Sequence, residues 1–174
     1  MTILQIDSSI SGRDSVTRRL TADIVSQLAR HGRQVIRRDL AAYPLAHLTA
    51  RGQDQHLLDE FIAADTIVIG APMYNFTVPT QLKAWLDRLA VAGRSFRYTE
   101  AGPQGMLSGK RVIVALASGG AYDEGSPFEH SKSYLTAFFG FLGITPEFVS
   151  AAGVAMGVDS ALADAGEAIQ ALAA

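Results

Sequence analysis

Short runs of β-branched and aliphatic residues alternate along the chain with longer stretches whose apolar residues recur at helical spacing. The runs lie at 3–6, 35–40, 66–70, 111–117 and 145–150. Ile67-Val68-Ile69 and Val112-Ile113-Val114 are apolar without alternation, the pattern of strands covered on both faces. Between the runs, Ser15 is placed to cap a helix carrying Val16, Leu20, Ile24 and Leu28. Pro79 occupies a first-turn position ahead of Leu82, Trp85, Leu86 and Leu89, with Trp85 expected as a core or interface anchor. Ser126-Pro127-Phe128-Glu129 has the spacing of a capping box with Pro127 as first helical residue. The stretch behind it holds Tyr134, Phe138, Phe139 and Phe141, too many rings for one stripe, so some are expected to meet a partner. An Ala-rich final helix is expected over 161–174. Five strands interleaved with helices predict an α/β three-layer sandwich around a parallel sheet, as a single domain over 1–174.

Composition narrows the function classes. Charged residues make up 18% of the chain against a usual share of about 25%, which points to covered surface beyond the core, such as a subunit interface. The net charge is −2 and the basic residues form no block, so nucleic-acid binding is disfavoured. There is no cysteine, which removes disulfides, thiolate catalysis and Cys-ligated metals. His31, His47 and His56 show no metal-ligand spacing, and no metal is expected. The chain reaches Asp7 without a basic segment or a long apolar stretch, and no apolar run approaches the roughly 18 residues of a membrane helix. A cytoplasmic location is expected.

Ligands of doubly wound sheets bind beyond the carboxyl ends of the strands, so the loops after the first, third and fourth runs are the candidates. The first, Ser8-Ser9-Ile10-Ser11-Gly12 onward to Ser15-Val16-Thr17, is hydroxyl-rich and enters a helix, which offers free amides and O–H donors to a phosphate. It has neither Walker A nor GxGxxG spacing, and an ordinary polar loop with a Ser cap explains it equally well. The second, Pro72-Met73-Tyr74-Asn75-Phe76, crowds apolar and aromatic residues where a loop is normally polar; it forms a wall for a flat ring or tucks beneath neighbouring helices. The third, Ala117-Ser118-Gly119-Gly120, lets backbone amides approach a ligand, although turn geometry alone also calls for Gly-Gly. Together they suit flavin mononucleotide, with a phosphate at one end and a flat ring system at the other.

At this point the chain resembles a known family. Ser8-Ser9, Ser15-Val16-Thr17, Ala71-Pro72-Met73-Tyr74-Asn75-Phe76, Gln81-Leu82-Lys83, Phe96-Arg97-Tyr98-Thr99-Glu100 and Ser118-Gly119-Gly120 look like the FMN-dependent NADH:quinone oxidoreductases, or azoreductases, of the flavodoxin-like quinone reductase superfamily. The resemblance implies a flavodoxin-like sheet of order 2-1-3-4-5 and a homodimer with active sites at the subunit interface. Carried over by position, Ser9, Ser15, Val16 and Thr17 hold the phosphate, while Pro72, Met73, Tyr74, Asn75 and Phe76 line the flavin. Ala117, Ser118, Gly119 and Gly120 form the third loop, where Ser118 replaces an arginine of some members. The segment 41–59 is shorter than in longer members, where it helps to cover the active site. The implied activity is hydride transfer from NADH or NADPH through FMN N5 to a quinone or an aromatic azo compound, with one site used twice, hence ping-pong kinetics. Arg13, Arg18 and Arg51 are candidates to reach the 2′-phosphate of NADPH. Tyr122 and His130 are candidates for guiding protons or substrate, although His130 reads as easily as a solvated first-turn residue; Phe96, Tyr98 and Tyr122 are candidates for contacting the acceptor, with packing under the dimer contact an equal alternative for Phe96 and Tyr98.

Competing classes are weaker. A flavodoxin-type electron carrier is usually strongly acidic, and this chain is nearly neutral. A receiver-type signalling domain needs an Asp where Gly70-Ala71-Pro72 stands, and a serine hydrolase needs a Gly-x-Ser-x-Gly elbow that is missing.

Overall fold

In the computed structural model, which describes residues 1–29, 32–123 and 125–172, the predicted alternation becomes a layered sandwich. His31 lies outside the described residues, as does the end of the expected last helix. The elements are β1 (Thr2–Asp7), α1 (Val16–Leu28), β2 (Gln34–Asp39), α2 (Gln55–Ala63), β3 (Thr66–Pro72), α3 (Thr80–Leu86), β4 (Phe96–Thr99), β5 (Gly102–Gly105), β6 (Arg111–Ser118), α4 (Ser131–Phe141), β7 (Glu147–Ala152) and α5 (Val158–Ala171). β2, β1, β3, β6 and β7 lie side by side in that order, all parallel. Counted within the sheet, this is the 2-1-3-4-5 order. β4 and β5 form a separate antiparallel hairpin.

Alternate residues of each strand feed two cores. Leu4, Ile6, Ile67, Ile69, Val112 and Val114 face one side and pack with residues of α2, α3 and α4, including Phe61, Trp85 and Phe139. Ile3, Val68, Ile113 and Ala115 face the other and pack with Leu20 and Ile24 of α1 and Ala161 and Ala165 of α5. Every residue of the central β3 is buried, which is why its sequence does not alternate.

Trp85 is fully buried, with its ring centroid 6.0 Å from that of Phe61, and Phe61 stacks on Phe139 at 6.5 Å. The α4 rings divide as their spacing demands. Phe139 enters the core, Phe141 meets Phe96 of the hairpin at 4.5 Å, and Tyr134 and Phe138 stay half-buried.

Two boundaries differ from expectation. α4 begins at Ser131, not at Pro127. Ser126 and Glu129 instead close a turn of their own, Ser126 Oγ accepts from the Phe128 amide, and Glu129 Oε1 accepts from the Lys132 amide at 2.8 Å. The His130 amide is spent on the Phe76 carbonyl at 3.0 Å, so a contact from another loop decides where the helix starts. Pro79 stands at the N-cap of α3, one position earlier than a first helical residue.

The hairpin reaches the sandwich through a backbone contact. A Cβ on Gly105 would lie 2.1 Å from both Gly143 N and Leu142 C, so only glycine lets β5 seat on the end of α4. No helix of the described residues is long and apolar enough to cross a membrane.

Candidate functional site

Because the strands are parallel, the loops after β1, β3 and β6 share one edge of the sheet, and all three candidate segments meet there. Gly70, near the end of β3, permits the approach: a Cβ there would lie 3.1 Å from Thr21 Cγ2 and 3.5 Å from Thr17 Cβ. Without it the amino end of α1 packs close to β1 and β3. Ser8 Oγ donates to the Gly70 carbonyl at 2.6 Å, tying the first loop to the third strand.

The first loop is built to present donors. Ser15 caps α1, its Oγ accepting from the Arg18 amide at 3.2 Å and lying 3.2 Å from Thr17 Oγ1. Ser9, Ser15 and Thr17 are buried, and Val16 is half-buried. The amides of Val16 and Thr17, first in the helix, have no carbonyl one turn back to receive them, and they carry the positive end of the helix dipole.

An ion pair beneath the loop holds it. Arg18 donates to both Asp39 oxygens, at 2.6 and 2.8 Å, and to the Ser9 carbonyl at 2.9 Å. The guanidinium hydrogen bond holds the Asp39 carboxyl below its ordinary range, helped by the Ala41 and Ala42 amides. Asp7 beside them is shifted the other way: burial raises it, against hydrogen bonds from Thr21 and Gln5 and the charge of Arg18. Arg18 is thus engaged by Asp39 and the Ser9 carbonyl while remaining partly solvated, whereas Arg13 and Arg51 are exposed.

The second loop is strained. Tyr74 and Thr77 exchange backbone hydrogen bonds of 2.9 and 3.2 Å across Asn75 and Phe76, whose φ angles are +49° and +73°. Positive φ at both central residues makes this a type I′ turn. Asn tolerates it; a bulky Phe does not without cost. Tyr74 turns away from the loop's own rim. Its hydroxyl accepts from the Ile10 amide at 3.1 Å and lies 3.2 Å from Ser9 Oγ, to which its own proton is free to donate. Tyr74 thus braces the first loop. Phe76 is 45% exposed and packs on Phe128 with centroids 5.3 Å apart. Asn75 is exposed, Met73 half-buried and Pro72 buried, and the Met73 amide donates to the Ala117 carbonyl at 2.8 Å, linking the second loop to the third.

The third loop is held by its carbonyls. Those of Ser118, Gly119 and Gly120 accept from the amides of Val154, Ala155 and Gly153, and Ser118 Oγ donates to the Gly120 carbonyl at 2.7 Å. Its oxygens are spent within the protein, and its backbone is fixed. Tyr122 lies against Gly120, where a Cβ would meet the ring at 3.1 Å. His130 is exposed at the N-cap of α4, and its imidazole makes no hydrogen bond among the described residues.

Phe96 and Tyr98 are not at this edge. The hairpin precedes β6 and seats on the carboxyl end of α4, whereas the candidate loops lie at the carboxyl end of β6 and the amino end of α4. Phe96 is buried against Phe141, and Tyr98 is 76% exposed. Within one chain, neither meets the three loops.

The donor set fits FMN. Three buried hydroxyls and two unpaired helix amides are what a phosphate monoester requires, and the aromatic turn and fixed glycine loop stand beside them for a flat polar-edged ring. His47 and His56 are exposed, and no group of three or more His, Cys, Asp or Glu among the described residues could hold a metal ion. Sequence patterns did not disclose the Arg18–Asp39 clamp or the bracing role of Tyr74. A charged residue at the end of β2, in register with Asp7, was the available signal for the clamp.

Comparison with known proteins agrees with this geometry. A family model described as a flavodoxin-like fold matches residues 1–174. The chain is 51% identical to an FMN-dependent NADH:quinone oxidoreductase of Sinorhizobium fredii, over 91% of this chain and 89% of that one. It is 47% identical to one of Methylobacterium radiotolerans over the full length of both, in an alignment of 204 positions, so that relative carries insertions this 174-residue chain lacks. In fold it is similar to the crystal structure of an FMN-dependent NADH-azoreductase from Bacillus anthracis in complex with FMN, with TM-score 0.86, 24% identity and coverage of 99% and 96% of the two chains. By the full-length match and by identity near one half, the chain belongs to the flavodoxin-like family and, within it, to the group of the FMN-dependent NADH:quinone oxidoreductases.

Proposed function

We propose that this chain is a single-domain, FMN-dependent oxidoreductase that moves two electrons as hydride from NADH or NADPH to quinones or aromatic azo compounds, as a cytoplasmic homodimer. The observation that carries the proposal is the meeting, at one edge of the sheet, of a phosphate-type donor set on α1 with a strained aromatic turn after β3. When bound, FMN supplies hydride acceptance and donation at N5, in two half-reactions that share one site.

The protein's part is binding and orientation. The hydroxyls of Ser9, Ser15 and Thr17 and the amides of Val16 and Thr17 hold the phosphate. Pro72, Met73, Asn75 and Phe76 flank the ring system, and Tyr74 keeps the phosphate loop in place from the same turn. Ala117, Ser118, Gly119 and Gly120 would border the ring system, and the Gly119 and Gly120 amides would be the donors that stabilise negative charge on it when reduced. Ser118 stands where some members carry an arginine, so no cation is supplied from that position. Tyr122 and His130 border the site from the following loop and guide substrate or protons. Tyr98 contacts an acceptor only from a second copy, since its own hairpin lies at the far end of its chain. The homodimer supplies that second copy, and the half-buried Tyr134 and Phe138 are candidates for its contact.

The test is anaerobic. Protein reconstituted with FMN and freed of excess flavin is mixed with NADH, and the oxidised-flavin absorbance is followed before and after addition of a benzoquinone. Bleaching by NADH and recovery with quinone are expected, with parallel double-reciprocal plots in steady state. Retained FMN that neither NADH nor NADPH bleaches would turn the assignment to an electron carrier. Failure to retain flavin would remove its base.

A further inference from the structure

Asp7 ends β1 directly before the hydroxyl-rich loop. Ile3, Gln5 and Asp7 alternate along the strand, so all three face α1, where Ile3 packs. The carboxyl group is half-buried beneath the first turn of that helix. A Cβ on Gly70 would lie 3.3 Å from Asp7 Oδ1 and 3.5 Å from Thr17 Cβ. A group that only accepts hydrogen bonds when ionised thus stands under the donors that face a phosphate.

Its own hydrogen bonds suit either protonation state. Gln5 Nε2 donates to Asp7 Oδ2 at 3.0 Å, and Gln5 is held that way round because its Oε1 accepts from Arg37 Nε at 3.1 Å. Thr21 Oγ1 lies 2.7 Å from Asp7 Oδ1 and 3.0 Å from the Arg18 carbonyl, and its one proton serves either oxygen. When Asp7 is ionised, Thr21 donates to it. When Oδ1 is protonated, the acid donates to Thr21 Oγ1 and the threonine proton turns to the Arg18 carbonyl. The Gln5 bond survives both states, and no heavy atom need move.

The surrounding charges do not pin the group in its ionised form. Arg18 of α1 attracts it, but that guanidinium is bonded to both Asp39 oxygens and to the Ser9 carbonyl. Asp39 of β2 repels it. Arg37 of β2 reaches Gln5 instead, and β3 sets Gly70, which has no side chain, opposite it. Burial outweighs the Thr21 bond, the Arg18 charge and the Gln5 bond, and holds the carboxyl above the ordinary carboxylate range.

We propose that Asp7 is a proton-binding positioning residue of the cofactor site, which takes a proton from solvent as a phosphate monoester docks on the amino end of α1. This rests on FMN as the cofactor of the site. A docked dianion repels the carboxylate, so the loaded protein keeps the proton to higher pH than the free protein does. By linkage, FMN binds more weakly where Asp7 is ionised in both states than where it is protonated in both. A dianion brought near a carboxylate in partly solvated surroundings changes affinity by about ten-fold. Cofactor retention is thereby weakened as the medium turns alkaline, against the gain from the phosphate's own second ionisation at about pH 6.

The test is a fluorescence titration of FMN and of riboflavin into flavin-free wild type, D7N and T21V between about pH 5 and 8. An asparagine keeps an oxygen for Gln5 and an N–H for Thr21, as the protonated acid does. At about pH 8, D7N is expected to bind FMN about ten-fold more tightly than wild type, and the ratio to fall toward one as the pH drops through the raised Asp7 values. T21V deletes the donor that favours the ionised acid, so the pH at which affinity changes moves upward from that of wild type. Riboflavin, which has no phosphate, binds wild type and D7N alike at every pH.

A D7N-to-wild-type ratio that stays constant across this range overturns the proposal, since an altered loop without a titrating charge produces that result. The same pH-dependent ratio for riboflavin overturns it too, by placing the effect on the ring system. A T21V profile identical to that of wild type overturns the hydrogen-bonded arrangement, and if D7N does not fold, T21V alone decides. A wild-type protein that retains no flavin removes the oxidoreductase assignment, and Asp7 is then tested with inorganic phosphate. At about pH 8, phosphate should raise the melting midpoint of D7N more than that of wild type, and equal rises overturn the role of Asp7.

Discussion

The strain at Asn75–Phe76 can be measured by replacing Phe76 with two residues that differ only in what they tolerate. F76A and F76G both delete the ring and its 5.3 Å contact with Phe128, so those losses cancel between the two variants. What remains is backbone. At φ +73° an alanine keeps its Cβ in the left-handed region, at a cost of about 1–2 kcal/mol, which glycine escapes. Glycine in turn loses about 0.5–1 kcal/mol more chain entropy on folding. At the midpoints of those ranges the balance favours F76G by about 0.8 kcal/mol, which for a chain of this length is about 2–3 °C in melting midpoint. At an ordinary position the order is reversed, with alanine the more stable, so the sign alone is diagnostic. Unfolding of the flavin-free variants can be followed by the fluorescence of buried Trp85, checked against far-UV circular dichroism. A higher midpoint for F76A than for F76G would refute the type I′ turn and the strain attributed to it. Flavin affinity is the second readout. If strain holds the ring for the cofactor, both variants bind FMN more weakly than wild type although F76G is the better folded of the two.

Other expectations follow from the same geometry. G105A places a methyl group 2.1 Å from backbone atoms of α4's end and should cost about 3 kcal/mol or more in urea unfolding, whereas G109A, with nothing within 4 Å of its Cβ, should stay within about 0.5 kcal/mol. D39N removes a carboxylate whose folded pKa is depressed, chiefly by the Arg18 hydrogen bond. The stability it contributes is present above the unfolded value near pH 4 and is lost as pH falls through the folded value. At pH 7 the variant should therefore be less stable by about 1 kcal/mol, a small figure because both side chains are partly solvated. Melting curves of wild type and D39N should converge as the pH falls below about 4 and on through the depressed folded value, and a constant difference across that range would show that the carboxylate's charge is not what stabilises. S9A should weaken FMN about ten-fold in a fluorescence titration through loss of a hydrogen bond to a charged group, while riboflavin, which has no phosphate, should bind both proteins alike. Equal losses for both flavins would remove Ser9 from the phosphate.

The parts of the fold visible in the sequence are those where a local pattern and the tertiary environment demand the same thing. β3 is buried on both faces, so its residues cannot alternate, and Thr66 to Pro72 display this directly. α1 needs a cap and one apolar stripe, and Ser15 with Leu20 and Ile24 supply both. The failures have the opposite character. Ser126 to Glu129 satisfy the local rule for a helix start, yet α4 waits until Ser131 because the His130 amide is bound to the Phe76 carbonyl. Arg18 looks like a free surface cation along the helix, but the parallel register that sets Asp39 beside Asp7 gives it a partner from another strand. Phe96 and Tyr98 are placed by the backbone contact of Gly105 with Gly143, which no pattern of side chains announces. Tyr74 belongs to the second loop by position and to the first by its hydrogen bonds. Three of these four exceptions, those at His130, Arg18 and Tyr74, lie at the carboxyl edge of the sheet. There the chain forgoes local preference, accepts positive φ at Phe76 and commits side chains across loops. A scaffold selected for stability alone has no use for such concessions, and their concentration at one edge is an independent physical argument that this edge is where the protein works.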